Sequence, residues 1–231
     1  MEHTFLVAIA IACVSLLYAT VGQAGGTAFL AIMAFASFPA AEMRPTALFL
    51  NIVAAGYATW RLHQRAAIER TTLLRVTLPS LVTALAGGLL VLNGRVYFIL
   101  TGLLLVAAAA LMAIQLLPAA AVGAGAGFVS GLTGVGGGVF LTPFVIALGW
   151  MSPRRAAALS PPFILCNSVM GLLGVLLAGQ ELTRDTAFYS FGALAGAIVG
   201  SAIGLRWMSE RDTRYALGVI LLFAGIRLIY R

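Results

Sequence analysis

Charged residues are scarce in this chain of 231 residues. They make up 9% of the sequence, whereas hydrophobic residues make up 61%, and the mean hydropathy is +1.04. A water-soluble core of this size could not bury so many apolar residues, so we expect an integral membrane protein in contact with a lipid bilayer. The first apolar run is followed at once by a second, without a convincing cleavage site, which predicts a retained span.

Acidic residues are the rarest charged group, and the sequence places all of them in or beside loops. Without a carboxylate in midspan, proton coupling through a buried acid relay is disfavoured. Paired carboxylates, a histidine cluster, a Ser/His/Asp set and metal-spaced cysteines are also lacking, so we predict no enzyme, no metal site and no cofactor. The seven acids are Glu2, Glu42, Glu69, Glu181, Asp185, Glu210 and Asp212.

Lysine is absent, and the formal charge of +7 comes from arginine alone. The arginines lie between apolar runs and not on a solvated basic face, which argues against nucleic acid as a partner. Cys13 and Cys166 both fall in apolar segments, where a thiol behaves as a small hydrophobe, so we predict no disulfide.

Glycine, by contrast, is clustered at two places. Residues 131–138 read GLTGVGGG and residues 21–26 read VGQAGG. Each glycine costs a helix about 1 kcal/mol relative to alanine, so the two clusters predict helix breaks inside apolar surroundings. An apolar run, an arginine and an asparagine-bearing helix follow each cluster. We therefore interpret residues 1–117 and 118–231 as two membrane repeats of a single domain.

The apolar segments are of unequal length. A span needs about 20 residues, so the segments at 27–38 and 139–150 are too short to cross a membrane alone. Each forms, with the segment before it, either a hairpin or a single broken span. The segments lie at about 5–21, 27–38, 46–60, 76–92, 96–117, 119–133, 139–150, 156–178, 186–206 and 214–230.

The positive-inside rule favours hairpins. Hairpins place nine arginines inside and four outside, whereas single broken spans leave only six inside. A hairpin plus three spans crosses the membrane an odd number of times, so the second repeat would be inverted and both termini would lie outside. The predicted fold is an all-α polytopic membrane protein with two inverted-topology repeats, each a glycine-broken helical hairpin plus three transmembrane helices. Such interrupted repeats are typical of secondary transporters with a site near the midplane.

Three segments also carry a family resemblance. The runs GFVSGLTGVGGGVFLTPFVIALGW, RRAAALSPPFILCNSVMGLLG and EMRPTALFLNIVAAG resemble the sulfite exporter TauE/SafE family of bacterial membrane proteins, and the similarity extends over essentially the whole chain. The resemblance implies export, or more broadly transport, of a small sulfur-containing anion such as sulfite or an organosulfonate. It also implies a multi-pass protein of the bacterial cytoplasmic membrane. A carboxylate or a cation as substrate, and a scaffold role, remain alternatives, and a homo-oligomer stays open.

The glycine breaks are the first candidates for a binding site. Helices that restart after Gly26 and Gly138 would offer backbone N–H groups and a positive dipole to an anionic oxygen. Such backbone is tolerated in a membrane only where it lines a cavity or meets a ligand. Close helix packing is the alternative, and it suits the spaced glycines better. The candidate ligand-lining glycines are Gly25, Gly26, Gly136, Gly137 and Gly138; the candidate packing glycines are Gly87, Gly88, Gly192, Gly196, Gly200 and Gly204.

Polar side chains near the breaks complete the predicted site. Asn51 and Asn167 lie in the helix after each break, where an amide is costly unless it finds a partner. Each would donate to a sulfonate-like group or tie down the broken backbone, and both roles stay open. Gln23 and Thr133 flank the breaks as further donors. Because the second break has Val135 in place of Gln23, we expect an asymmetric pocket.

Arg44 and Arg155 follow the two hairpins. Each would either attract an anion toward one entrance or act as a topology signal and headgroup anchor. We favour the second role and keep the first as a candidate.

Overall fold

The computed structural model describes residues 2–91, 119–207 and 209. Within these ranges the chain is helical and without strands, which confirms the all-α prediction there; the predicted spans at 96–117 and 214–230 lie outside them. The eight helices are α1 (Glu2–Ala19), α2 (Gly26–Phe35), α3 (Ala40–Gln64), α4 (Arg70–Leu89), α5 (Ala119–Thr133), α6 (Gly138–Ala147), α7 (Pro153–Leu177) and α8 (Thr186–Trp207).

Three of these helices are long and apolar enough to cross a membrane. They cover Arg70–Leu89, Pro153–Leu177 and Thr186–Gly204. Helices α1, α2 and α5 are apolar but shorter. The chain is therefore a multi-pass membrane protein by length and composition.

The first glycine tract turns the chain back on itself. A β-carbon placed on Gly25 would lie 3.4 Å from the Val14 side chain, more than a turn before the end of α1. The hydroxyls of Tyr18 and Thr27 hydrogen-bond across the turn at 2.9 Å. Helix α2 thus begins beside the middle of α1 and packs along it. The two helices share a buried apolar cluster that contains Val7, Ile11, Phe29 and Met33.

The second tract does the same between α5 and α6. A β-carbon on Gly137 would lie 3.1 Å from the carbonyl oxygen of Ala126, two turns before the end of α5. The two helices therefore pack as a hairpin, as the positive-inside argument predicts. Their shared cluster contains Val122, Val129, Phe140, Phe144 and Val145.

Two 25-residue helices, α3 and α7, pack against each other in the middle of the fold. Each follows a hairpin and packs on it, α3 on α2 and α7 on α6. Each also packs on a helix of the opposite half, α3 on α8 and α7 on α4. The two glycine breaks are therefore held next to the two asparagine-bearing helices.

The spaced glycines pack helices together, as predicted for α8. Gly192 faces the carbonyl oxygen of Ala8, where a β-carbon would come within 2.6 Å, and the next three glycines of α8 face successive turns of α1. On the other side Gly88 of α4 packs on the backbone of α7. A second stripe, which the sequence analysis did not single out, joins α5 to α4 through Gly123, Gly127 and Gly131. Such small-residue seams let two backbones touch.

Candidate functional site

The two glycine breaks contact each other. A β-carbon on Gly26 would collide with the backbone carbonyl of Val135, so this position admits no side chain. The residues that precede α2 and α6, Gly25 and Gly137, have left-handed backbone with φ of 109° and 76°. L side chains rarely adopt that conformation, which explains glycine at both. Both short helices therefore begin at one place. Their backbone hydrogen bonds start with the amides of Ala28 and Phe140, so only the first two amides of each helix precede its own hydrogen bonds.

Asn51 of α3 joins the two breaks. Its side chain is fully buried, and its Nδ2 donates to the carbonyl oxygen of Gly134 at 3.3 Å. The same nitrogen would lie 2.6 Å from a β-carbon on Gly26 and 2.9 Å from one on Gly136. The amide thus holds the backbone of the second break, one of the two roles expected for it, while its Oδ1 is without a hydrogen-bond partner among the described residues.

Gln23 of the first break reaches the second hairpin. Its Nε2 donates to the Thr142 hydroxyl at 2.9 Å and to the carbonyl of Gly138 at 3.3 Å. Thr142 and Ser160 hydrogen-bond to each other, and Gln23 Nε2 also lies 3.4 Å from Ser160. The amide therefore links the first break to α6 and α7. The second break has Val135 at the corresponding position, and a valine side chain cannot form an equivalent hydrogen bond.

Asn167 and Thr133 bond mainly within their own segments. Asn167 Nδ2 donates to the carbonyl of Phe163 in α7 at 2.9 Å. Thr133 Oγ1 donates to Val129 at 2.6 Å and accepts from the amide of Val135 at 3.3 Å. Both side chains are fully buried; Thr133 belongs to the second break, whereas the hydrogen bond of Asn167 stays within α7 and does not reach either break. Asn167 Nδ2 and Thr133 Oγ1 thus both donate to backbone carbonyls in this structure.

Several buried polar atoms near the breaks have no hydrogen-bond partner among the described residues. Such atoms are costly unless water or a ligand meets them. Ser168 Oγ would lie 3.3 Å from a β-carbon on Gly136, and Ser130 packs against Gly137. The sequence analysis did not single out Ser168 or Thr142. A signal existed in both cases, since Ser168 adjoins Asn167 and Thr142 lies one turn after Gly138. The unpartnered atoms are Gln23 Oε1, Asn51 Oδ1, Asn167 Oδ1, Ser130 Oγ and Ser168 Oγ.

A cavity of about 590 Å³ opens at one end of the helices. We call this the cavity end; it is formed by the last turns of α1, α3 and α8, the first turns of α7, and the loop between α3 and α4. Its inner wall includes Gly22 and Pro161, which adjoin Gln23 and Ser160 of the polar network. Its charged lining residues are Arg65, Glu69, Arg154 and Arg155.

The two candidate entrance arginines lie in different surroundings. Arg155 is exposed and lines the cavity, where an anion-attracting role stays a prediction. Arg44 is 4% exposed and does not reach out as the expected headgroup anchor would, which corrects the role favoured for it; a role in attracting an anion to the opposite entrance stays a prediction. Its guanidinium donates to four carbonyl groups, those of Gly87, Gly88, Leu90 and Gly131.

Comparison with known proteins identifies a family for the chain. The profile of the family described as sulfite exporter TauE/SafE matches residues 7–228. The probable membrane transporter protein y4hK of Sinorhizobium fredii is 31% identical over 96% of this chain and 97% of its own length. The probable membrane transporter protein YunE of Bacillus subtilis is 30% identical over 45% of this chain and 38% of its own length.

A plant relative matches a shorter stretch. Sulfite exporter TauE/SafE family protein 2 of Arabidopsis thaliana is 28% identical over 43% of this chain and 20% of its own length. No solved structure matches the chain. With a family profile that covers nearly all of its residues, this chain belongs to the sulfite exporter TauE/SafE family of membrane transporters.

Proposed function

We propose that this membrane transporter exports a small sulfur-containing anion, sulfite or an organosulfonate, across the bacterial cytoplasmic membrane. The observation that carries the proposal is the cavity, which has three arginines and one glutamate in its wall and ends at the first glycine break. An excess of positive charge in a concave site raises the local concentration of anions. The positive-inside rule assigns the cavity end to the cytoplasm, because Arg61, Arg65, Arg70 and Arg75 lie in or beside its loop.

The binding site of the proposal lies between the breaks. Helices α2 and α6 both begin there, the first two amides of each precede its own hydrogen bonds, and helix N-termini favour negative charge. Ser168 adds a fully buried hydroxyl beside Gly136 that has no hydrogen-bond partner among the described residues. Gln23, on the path from the cavity, would be the first amide that an incoming anion meets.

The proposal includes two inverted repeats at residues 1–117 and 118–231. The helix contacts support this arrangement, because each contact has a counterpart in the other half. The packing of α1 on α8 corresponds to that of α5 on α4, and α3 on α8 corresponds to α7 on α4. Helices α3 and α7 correspond to each other, so the exchange of the two halves leaves their contact unchanged. A twofold axis between α3 and α7 would bring the two breaks together near the midplane.

The membrane potential is a sufficient driving force for export. Moving one negative charge out of a negative interior releases about 2.3 kcal/mol per 100 mV. This mechanism requires no acid relay, in keeping with the five acidic residues in the described part of the chain, which lie near helix ends or between helices. Protonation of the substrate itself would be an alternative source of coupling.

Reconstitution into liposomes tests the proposal. We expect flux of labelled sulfite that rises with an imposed potential of the exporting sign and is inhibited by sulfoacetate more than by simple carboxylates. Ser168→Ala should lower this flux strongly with little change in melting temperature, because the hydroxyl holds no other described residue. Ser190→Ala is the matched control, since its hydroxyl only bonds Thr186 within α8. Equal flux in the two variants would remove Ser168 from the site, and absence of anion flux in the parent protein would refute the proposed substrate.

One observation favours a cation as second candidate. Gln23, Asn51 and Asn167 turn their NH₂ groups toward backbone carbonyls and leave three amide oxygens without partners among the described residues. Oxygen acceptors of this kind suit Na⁺ or a donor-bearing solute. Flux that requires a sodium gradient, with no response to sulfite, would favour this candidate over the anion.

A further inference from the structure

Arg44 and the cavity lie at opposite ends of α3. Arg44 is in the first turns of this helix, and Leu62, in the cavity wall, is 18 residues further on, which corresponds to about 27 Å of helix. That distance approaches the thickness of a bilayer core, about 30 Å. Asn51, the residue that joins the two breaks, lies between them. Along α3 the order is therefore Arg44, the glycine breaks and the cavity.

The guanidinium of Arg44 hydrogen-bonds to the ends of two other helices, α4 and α5. Nη1 donates to Leu90 at 2.9 Å, and Nη2 donates to Gly131 at 2.9 Å and to Gly87 and Gly88 at 3.2 Å. The last carbonyls of a helix have no partner within it and carry partial negative charge, so a buried cation is well placed there. One side chain thus joins the start of α3 to the end of α4 and the end of α5.

The same end is closed by further contacts. The amide of Thr183, between α7 and α8, donates to the Thr46 hydroxyl at 3.2 Å. Thr4 of α1 donates to Asp185 at 3.2 Å. Gly134 of the second break packs on the backbone of Arg44, where a β-carbon would lie 3.3 Å from its Cα. This end, which we call the Arg44 end, is tied across several helices, whereas the cavity end is open.

We infer that Arg44 is the gate residue of the side opposite the cavity, and that its hydrogen bonds to the carbonyls keep the transporter open toward the cavity only. This inference rests on the proposed function, because a transporter must expose its site to the two sides in turn. Releasing the guanidinium would free α3 from α4 and α5 next to the second break. Loss of Arg44 should therefore shift the population toward the state open at the Arg44 end.

Thiol labelling in membrane vesicles tests the inference. Cys13 and Cys166 are free and are first replaced, with Cys13→Ser and Cys166→Ala. One reporter is Ser130→Cys, buried beside Gly131; the other is Ser201→Cys, in the cavity wall. A membrane-impermeant maleimide is applied from each side in turn.

Arg44→Gln should raise labelling of the Ser130→Cys reporter from the Arg44 end about tenfold and lower labelling of the Ser201→Cys reporter from the cavity end. Arg44→Lys keeps the positive charge but has fewer hydrogen-bond donors, so its labelling rates should lie between those of the parent and those of Arg44→Gln. Arg206→Gln, at the end of α8 and outside the cavity wall, is the matched control and should change neither rate. A misfolded protein would raise both rates together, so opposite changes identify a gate.

Unchanged labelling in Arg44→Gln, or a rise at both reporters, would overturn the inference. Neither reporter requires a substrate. A wrong assignment of the anion would therefore leave the labelling pattern intact, and lack of sulfite flux with the expected labelling would count against the proposed substrate alone.

Discussion

The two glycine breaks occupy matching places but contribute different groups. The first break supplies a side chain, since Gln23 crosses to Gly138, Thr142 and Ser160 of the second half. The second break supplies backbone, since its Val135 carbonyl packs on Gly26. The two proposed repeats therefore differ at the point where they touch. A site built in this way presents unlike groups on its two sides, which lets it orient a ligand that has unlike ends.

The largest expected effect comes from filling the contact between the breaks. In Gly26→Ala the new methyl group meets the rigid carbonyl of Val135 and the amide of Asn51, and overpacking of this kind costs about 1–3 kcal/mol. In Gly138→Ala the methyl meets side-chain atoms and no backbone, those of Ile164 and Gln23 Oε1, which can shift more easily than a carbonyl of the main chain. We expect Gly26→Ala to abolish flux and to lower the melting temperature. Gly138→Ala should reduce flux only partly and should lower the melting temperature by a smaller amount.

Gly125→Ala is the control for this pair. A β-carbon at Gly125 meets no atom within 4 Å among the described residues, so alanine should stabilise α5 by about 1 kcal/mol. Melting curves in detergent and flux in liposomes provide the two readouts. If Gly138→Ala proved the more damaging variant, the tight contact would have been assigned to the wrong break.

The next largest effect should distinguish the two asparagines. Asn51→Leu removes the donor to Gly134 of the other half, and an unpartnered buried carbonyl costs about 1–3 kcal/mol. Asn167→Leu removes a bond inside α7 only, to a carbonyl that already serves the helix. We expect the drop in melting temperature to be larger for Asn51→Leu. Equal decreases in melting temperature would indicate that Asn167 also hydrogen-bonds to residues of the other half.

A smaller effect is expected at Gln23. Gln23→Leu removes the link to Thr142 and Ser160 but leaves those two hydroxyls bonded to each other, so the stability change should be about 1 kcal/mol. Gln23→Glu keeps the shape and adds a negative charge near the floor of the cavity. If the substrate is an anion, its half-saturating concentration should rise more in Gln23→Glu than in Gln23→Leu. A lower value in Gln23→Glu would instead support the cation candidate.

The smallest effect is expected at the mouth of the cavity. Arg155→Gln removes an exposed positive charge from the wall and should slow uptake of a dilute anion several-fold at low ionic strength. The difference should shrink as salt is raised toward 0.15 M, where the Debye length is about 8 Å. Arg206→Gln, at the same end but outside the wall, controls for net charge. A salt-independent defect would mean that Arg155 binds directly.

The helix breaks and the packing stripe of α8 could be predicted because glycine patterns have local causes. Gly25 and Gly137 adopt positive φ, and the glycines of α8 recur at the spacing of one helix face. For these glycine patterns the sequence signal and the structural feature lie in the same short segment. The choice of hairpins came instead from the distribution of arginines, and the approach of Gly137 to Ala126 agrees with it for the second break.

Arg44 shows where such reasoning fails. Nothing within its own segment indicates that the ends of α4 and α5 approach it, because its acceptors Gly87, Gly88, Leu90 and Gly131 are distant in sequence. The cavity is likewise formed by parts of four helices and a loop. Thr142 had a local signal in its place one turn after Gly138, but its bond to Gln23 of the other half could not be predicted from its own segment. Features made by tertiary contact have no local signature.

The backbone seams of α1 with α8 and of α4 with α5 constrain how the molecule can move. Each seam joins a helix from residues 1–117 to one from residues 118–231 through close backbone contact. Rotation of one proposed repeat as a rigid block against the other would have to separate both pairs of helices. If the two halves are repeats, we therefore expect each moving body to combine helices from both of them.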